Sequence, residues 1–177
     1  MFKVLGNKLF VDFVPSKVTS EVGKIYKLAI KKKLITTNSN CTVNGIQTSN
    51  IANLFYKSYI GEILTNYTSE YLKQYYSCNT ISMLSKFEFV IHHLHIIKYK
   101  NGYQTKHDHS YNEDHSFILY LNNSIGGTRF YKDITHFDIE PEVNKIVFFN
   151  SADVHEGLPT KNKFILVGGI RVNKEWG

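Results

Sequence analysis

The chain has 177 residues, 42% of them hydrophobic, and a formal net charge of +6. That is enough apolar material for one domain with a real core, and it argues against disorder. The two cysteines, Cys41 and Cys78, stand far apart and form no Cys-x-x-Cys pair. A disulfide framework or a zinc–cysteine site is therefore not expected, and the setting expected is a reducing cytoplasm, a host's if the chain is viral. No apolar stretch approaches the length of a membrane span, and the first residues carry no signal-peptide pattern. The lysines are scattered apart from Lys31, Lys32 and Lys33 at an expected helix end, where cations complement the helix dipole. Nucleic acid is accordingly not the expected partner.

In chain order, residues 9–14 read as a short strand. Pro15 and Ser16 open a helix to about Leu34, with Val18, Val22, Ile25, Leu28 and Ala29 on one face. Residues 36–50 are polar and turn-rich and read as a loop. Residues 51–76 are helical again. Leu54, Ile63, Leu64, Tyr67, Tyr71, Leu72 and Tyr75 recur there at helical spacing, over two helices broken near Gly61. After Ser85 the period becomes two, through Phe87, Phe89, Ile91, Ile97 and Tyr99. Short apolar runs follow at residues 117–121, 128–131, 145–149 and 164–172. Helices first and many strands after predict a mainly β barrel or jelly roll with helices packed outside. The domain expected is residues 1–177, with 1–84 as strand and helical support and 85–177 as the β core.

Eight histidines are the chemically informative residues. His107 and His109 flank Asp108. On a strand their imidazoles share one face, and Asp108 points to the other unless a bulge turns it inward. His155 follows much later, just past the run at 145–149. Two near ligands and a remote one, with coordination positions left open, is an arrangement of non-haem iron oxygenases. A His-x-His pair alone also arises by chance on surfaces and in cores. His92, His93 and His95 form a denser cluster, with His93 and His95 on one strand face. They read as residues lining or packing beneath the barrel. His115 and His136 receive no role, and Gly168-Gly169 opens no helix and so is no phosphate loop.

The order of motifs adds to this. Tyr99 and Gly102 precede the His pair. Tyr120, Leu121 and Asn122 follow it, then Gly126, Gly127, Thr128, Arg129 and Phe130. Phe149 and Ser151 lead to His155, and Lys163 lies eight positions on. The chain resembles the iron(II)/2-oxoglutarate dioxygenases of the prolyl 4-hydroxylase-like superfamily, over about residues 85–172. It departs from the family in lacking one residue between Gly127 and Thr128. It also carries His109 where the family motif His-x-Asp has a carboxylate, which leaves the site one charge unit more positive. In this it resembles a His-x-His branch of phage and bacterial genomes, with Ser116 and Phe117 following.

The resemblance implies a double-stranded β-helix (jelly roll, cupin-like) with the N-terminal helices on one sheet. It implies Fe(2+) on His107, His109 and His155. 2-Oxoglutarate would be held at its far end by Lys163 and Tyr120, with Tyr99 lining the pocket and Lys161 or Arg171 as the alternative anchors. It implies O2 as oxidant, ascorbate as an accessory reductant, and hydroxylation of a C–H bond with release of succinate and carbon dioxide. The target would be a prolyl or other residue of a peptide or protein, or a small molecule, chosen by loops 36–50 and 110–115. Two alternatives stay open: a cupin-like metal-binding barrel without oxygenase activity, and a nucleic-acid-modifying oxygenase.

Overall fold

The structure, a computed structural model, describes residues 2–5, 8–36, 41–77 and 87–174. Cys78 and the expected change of period at Ser85 lie outside them.

Strands β1 (Lys3–Leu5) and β2 (Leu9–Phe13) pair antiparallel and lead into α1 (Ser16–Lys31). The buried stripe of α1 is Val18, Val22, Tyr26 and Ala29, whereas Leu28 is 40% exposed. The stripe follows the four-residue ridge from Val18, and Leu28 falls just outside that arc. Helices α2 (Ala52–Phe55) and α3 (Tyr59–Tyr75) are separated at residues 56–58, ahead of Gly61. Ser58 caps α3 by accepting from the Gly61 N–H. A Cβ on Gly61 would stand 2.2 Å from the Phe55 carbonyl oxygen, so the glycine permits the tight junction rather than breaking the helix.

The remaining strands are β3 (Ile35–Thr36), β4 (Thr42–Thr48), β5 (Phe87–His107), β6 (His115–Tyr120), β7 (Thr128–Lys132), β8 (Thr135–Ile139), β9 (Lys145–Asn150), β10 (His155–Lys161) and β11 (Phe164–Lys174). They form one curled antiparallel sheet in the order β1-β2-β9-β6-β11-β5-β10-β7-β8, with β4 also on β5 and β3 on β4. The expected loop at 36–50 is corrected here: residues 42–48 are a strand. Its alternation is carried by threonines, Thr42 and Thr48 being buried, and an apolar pattern search does not register it. Thr48 Oγ1 accepts from the Ile96 N–H and fixes the strand on β5.

β5 is 21 residues long and serves two partners in turn, β11 along residues 87–98 and β10 along 101–107. That bend rolls the sheet into a double-stranded β-helix with two apolar layers. On β6, Phe117 and Leu119 face the helices beside Leu64 and Tyr71, while Ile118 and Tyr120 face the barrel interior beside Tyr99 and Phe149. β9 divides the same way, with Ile146 and Phe148 outward and Val147 and Phe149 inward. Burial on both faces is why these strands read as unbroken apolar runs. Among the described residues no helix is long and apolar enough to cross a membrane.

Candidate active site

β5 and β10 bring His107 and His155 together; the expected strand pair is corrected, since β5 ends at His107 and His109 lies two residues past it, held by its N–H donating to the Ser151 carbonyl at 2.8 Å. His155, at the start of β10, pairs directly with His107 at the end of β5 and, on its other edge, with Phe130 of β7. Ring centroids stand 4.8 Å apart for His107 and His109, 4.4 Å for His107 and His155, and 5.2 Å for His109 and His155. Two imidazoles bound to one ion at about 2.1 Å place their ring centres roughly 4.6 to 5.3 Å apart, for right-angle to tetrahedral geometry. The cluster is therefore close to a metal-ready arrangement, and one donor atom from each ring lies within 4.8 Å of the others.

The ring nitrogens are also oriented for it. His107 Nδ1 faces the Thr105 carbonyl at 2.6 Å and His155 Nδ1 faces the Asp153 carbonyl at 2.9 Å. A carbonyl only accepts, so each Nδ1 carries the proton and each Nε2 keeps its lone pair, as histidine ligands do. His107 Nε2 is buried without a hydrogen-bond partner. An orphaned acceptor costs free energy unless something fills it, and a cation among three imidazoles does. Burial holds all three rings neutral: the His155 pKa falls to about 3 and that of His109 to about 4, and that of His107 is lowered as well. Phe130 and Phe149 pack on the His155 ring at centroid distances of 5.6 and 4.9 Å. Asp108 takes no part. It is exposed, and its carboxylate accepts from the Ser110 N–H and hydroxyl, which hold its pKa below the usual range.

Lys163 sits one residue before β11, in the turn after Asn162, rather than on the strand. It is 1% exposed. Its Nζ donates to the carbonyls of Gly126 and Gly127 at 3.0 and 3.2 Å and stands 5.2 Å from the Tyr99 ring centroid. Burial pulls its pKa down to about 8, with Glu140 opposing. Among the described residues no carboxylate lies within ion-pair distance of Nζ. A buried ammonium held only by neutral carbonyls suits an incoming anion. Lys161 and Arg171 are exposed, and Arg171 Nε donates to the Asn112 carbonyl, so neither meets the interior. Tyr120 is fully buried; its hydroxyl donates to Thr128 Oγ1 at 2.8 Å. Tyr99 and Tyr120 belong to the same interior layer as Phe130 and Phe149, so the lysine, beside Tyr99, and His155, beside Phe130 and Phe149, adjoin one apolar layer.

Sequence reasoning missed Glu113. Its carboxyl is buried and lies against His92 and His93 and within 3.9 Å of His109 Nδ1. A lone acid in a polar stretch carries no signal of burial. The segment 110–115, expected as a substrate loop, is divided: Tyr111 is exposed, whereas Glu113 and His115 are buried. His115 is structural, its two ring nitrogens meeting the Tyr71 and Tyr76 hydroxyls at 2.8 and 2.9 Å.

Residues 92–171 match the family model of the 2OG-Fe(II) oxygenase superfamily. The fold is similar to that of a Pseudomonas putida prolyl-4-hydroxylase, with a TM-score of 0.66, 17% identity and coverage of 93% of this chain and 92% of that one. It is similar also to a Trichoplax adhaerens prolyl hydroxylase solved with a hypoxia inducible factor oxygen degradation domain peptide, with a TM-score of 0.64, 17% identity and coverage of 96% and 84%. The non-heme alpha ketoglutarate dependent epimerase SnoN of nogalamycin biosynthesis matches with a TM-score of 0.60, 7% identity and coverage of 92% and 77%. A comparison with curated proteins found no match. The resemblance read from the motifs thus holds in the family comparison, and the double-stranded β-helix holds in the fold. That one neighbour is an epimerase shows that this fold alone does not set the reaction.

Proposed function

We propose that this chain, similar to the 2OG-Fe(II) oxygenases over residues 92–171 and to prolyl-4-hydroxylases in fold, is an iron(II)- and 2-oxoglutarate-dependent dioxygenase that hydroxylates a C–H bond. The observation that carries the reading is three neutral imidazoles brought together beside the inner apolar layer that also adjoins a buried ammonium without an anionic partner among the described residues. His107, His109 and His155 would hold Fe(2+), and Lys163 would hold the 2-oxoglutarate carboxylate distant from the metal. When bound, the iron supplies oxygen activation coupled to oxidation of 2-oxoglutarate to succinate and carbon dioxide.

The chain's own residues do the rest. The Thr105 and Asp153 carbonyls fix the His107 and His155 tautomers, and Phe130 and Phe149 fix the His155 ring plane. The β5–β10 pairing holds His107 and His155 and the Ser151 carbonyl anchors His109, which keeps reacting groups in register. Lys163 keeps two carbonyl acceptors while presenting its remaining N–H to the anion. Tyr99, Ile118, Tyr120 and Phe149 are buried in the layer beside these groups and would keep bulk water from them. A solvent-facing Lys163 would have favoured an inert cupin-like metal barrel, and its burial speaks for the oxygenase. The substrate class proposed is a peptide or protein residue, prolyl among them, by analogy with the fold neighbours.

The test is succinate formation from 2-oxoglutarate by the purified protein with iron(II), ascorbate and air. Succinate above the His155→Ala background is expected; none above it would overturn the reading.

A further inference from the structure

Along its pairing with β11, β5 breaks register once. Gly169 of β11 pairs with His93 and Ile170 pairs with Ile91, so His92 is an extra residue in β5. Adjacent strand residues normally point to opposite faces, and a bulge can turn both to one side. Here both imidazoles reach the same carboxylate oxygen. His92 Nε2 is 3.3 Å and His93 Nδ1 3.2 Å from Glu113 Oε2. Oε1 is held by the Ser116 hydroxyl at 2.5 Å, which leaves Oε2 presented to the histidines. The carboxyl is 1% exposed and each imidazole 21%. Gly169 backs the group: a Cβ there would fall 1.6 Å from Oε2 and 2.3 Å from His93 Cε1. The strand has given up a side chain where this carboxylate sits.

We propose that His92, His93 and Glu113 form a second divalent-cation site, separate from the three-histidine cluster and of the kind zinc occupies, with water as the fourth ligand. Two imidazoles and one carboxylate are a zinc donor set, and with bonds of about 2.0–2.2 Å a tetrahedron spaces its donors roughly 3.3–3.6 Å apart. Of the two observed histidine–carboxylate distances, 3.3 Å lies at the lower edge of that spacing and 3.2 Å just below it. Glu113 also lines a concavity of about 680 Å³ with Tyr111, Asn112 and Arg171, and the two imidazoles are each a fifth exposed. His95, His109 and Arg171 are the other basic groups near the histidines, with His109 Nδ1 3.9 Å from the other carboxylate oxygen, and the arginine's charge weakens the site without filling it. Occupancy would tie the β5 bulge to the segment that carries His109.

The site stands independently of the oxygenase reading, and so does its test. The metal-free His107→Ala/His155→Ala protein, which lacks the three-histidine cluster, is titrated with zinc chloride by calorimetry and with cobalt(II) by visible absorption. One equivalent of zinc and the intense absorption of four-coordinate cobalt are expected. Both should vanish when His92→Ala and His93→Ala are added, with the fold checked by circular dichroism. Glu113→Gln, which keeps the shape, should weaken zinc binding at least tenfold should the histidine variants fail to fold. No zinc bound to the double variant, or binding unchanged on loss of His92, His93 or the Glu113 charge, would overturn the proposal.

Discussion

Replacing Lys163 by alanine separates co-substrate binding from metal binding. Burial lowers the lysine's pKa from 10.5 to about 8, which corresponds to about 3 kcal/mol held against the charged form. An anion that restores the ammonium's ordinary basicity recovers that amount, so losing the cation should cost about 3 kcal/mol of binding, roughly 150-fold in KM for 2-oxoglutarate. Iron content should stay near that of the parent, since Lys163 Nζ donates to the Gly126 and Gly127 carbonyls and makes no bond to the imidazoles. Stability should change by only about 1 kcal/mol: two hydrogen bonds to Gly126 and Gly127 are lost, and the burial of a charge is lost with them. Lys163→Met retains the volume and should behave alike. The assay is succinate yield against 2-oxoglutarate concentration, with iron measured by mass spectrometry. A parent-like KM in both variants would refute the reasoning.

His155→Ala should remove both iron binding and turnover; full iron content in that variant would sink the three-histidine site. KM for 2-oxoglutarate should be flat below pH 8 and rise about tenfold per pH unit above it, as the Lys163 ammonium loses its proton. In the ligand-free protein the sign for folding is the reverse. The folded pKa lies below the unfolded one, so the penalty of a buried charge fades and stability rises between pH 8 and 10.5; denaturant titrations across that window check it. Leu64→Ala, at a fully buried position under the sheet, should cost about 2–5 kcal/mol by the same titrations, with iron affinity intact. Gly61→Ala should destabilise the α2–α3 junction through its clash with the Phe55 carbonyl, and an unchanged melting temperature would contradict that packing.

The two-sided strands were legible because burial on both faces writes itself as an apolar run, as in residues 117–121 and 145–149. Helix α1 was legible in its period, though Tyr26 rather than Leu28 completes the stripe, since an aromatic with a polar tip reads ambiguously. The grouping of His107, His109 and His155 was legible in motif order and the rings do lie together, but not through strand period, because β5 ends at His107 and a backbone bond to Ser151 places His109. β4 was not legible because its pairing rests on backbone and threonine hydrogen bonds. The grouping of His92 and His93 on one side depends on a register shift against β11, and Glu113 owes its burial to Gly169 and Ser116. Neither is a local property of its own segment.

The position of β11 bears on how the molecule assembles. It follows every other described strand in the chain, yet it lies between β6 and β5, at the seam of the sheet. Without it the sheet would be two halves, β1-β2-β9-β6 and β5-β10-β7-β8, each with a long open edge. Nearly all its pairings join residues distant in sequence, so closure pays a large loop entropy before any contact repays it. Folding should be slow and completed in its last step. During that wait the chain carries exposed, apolar edges prone to mispairing, and Lys163, in the turn that launches β11, reaches its buried place only when the seam shuts.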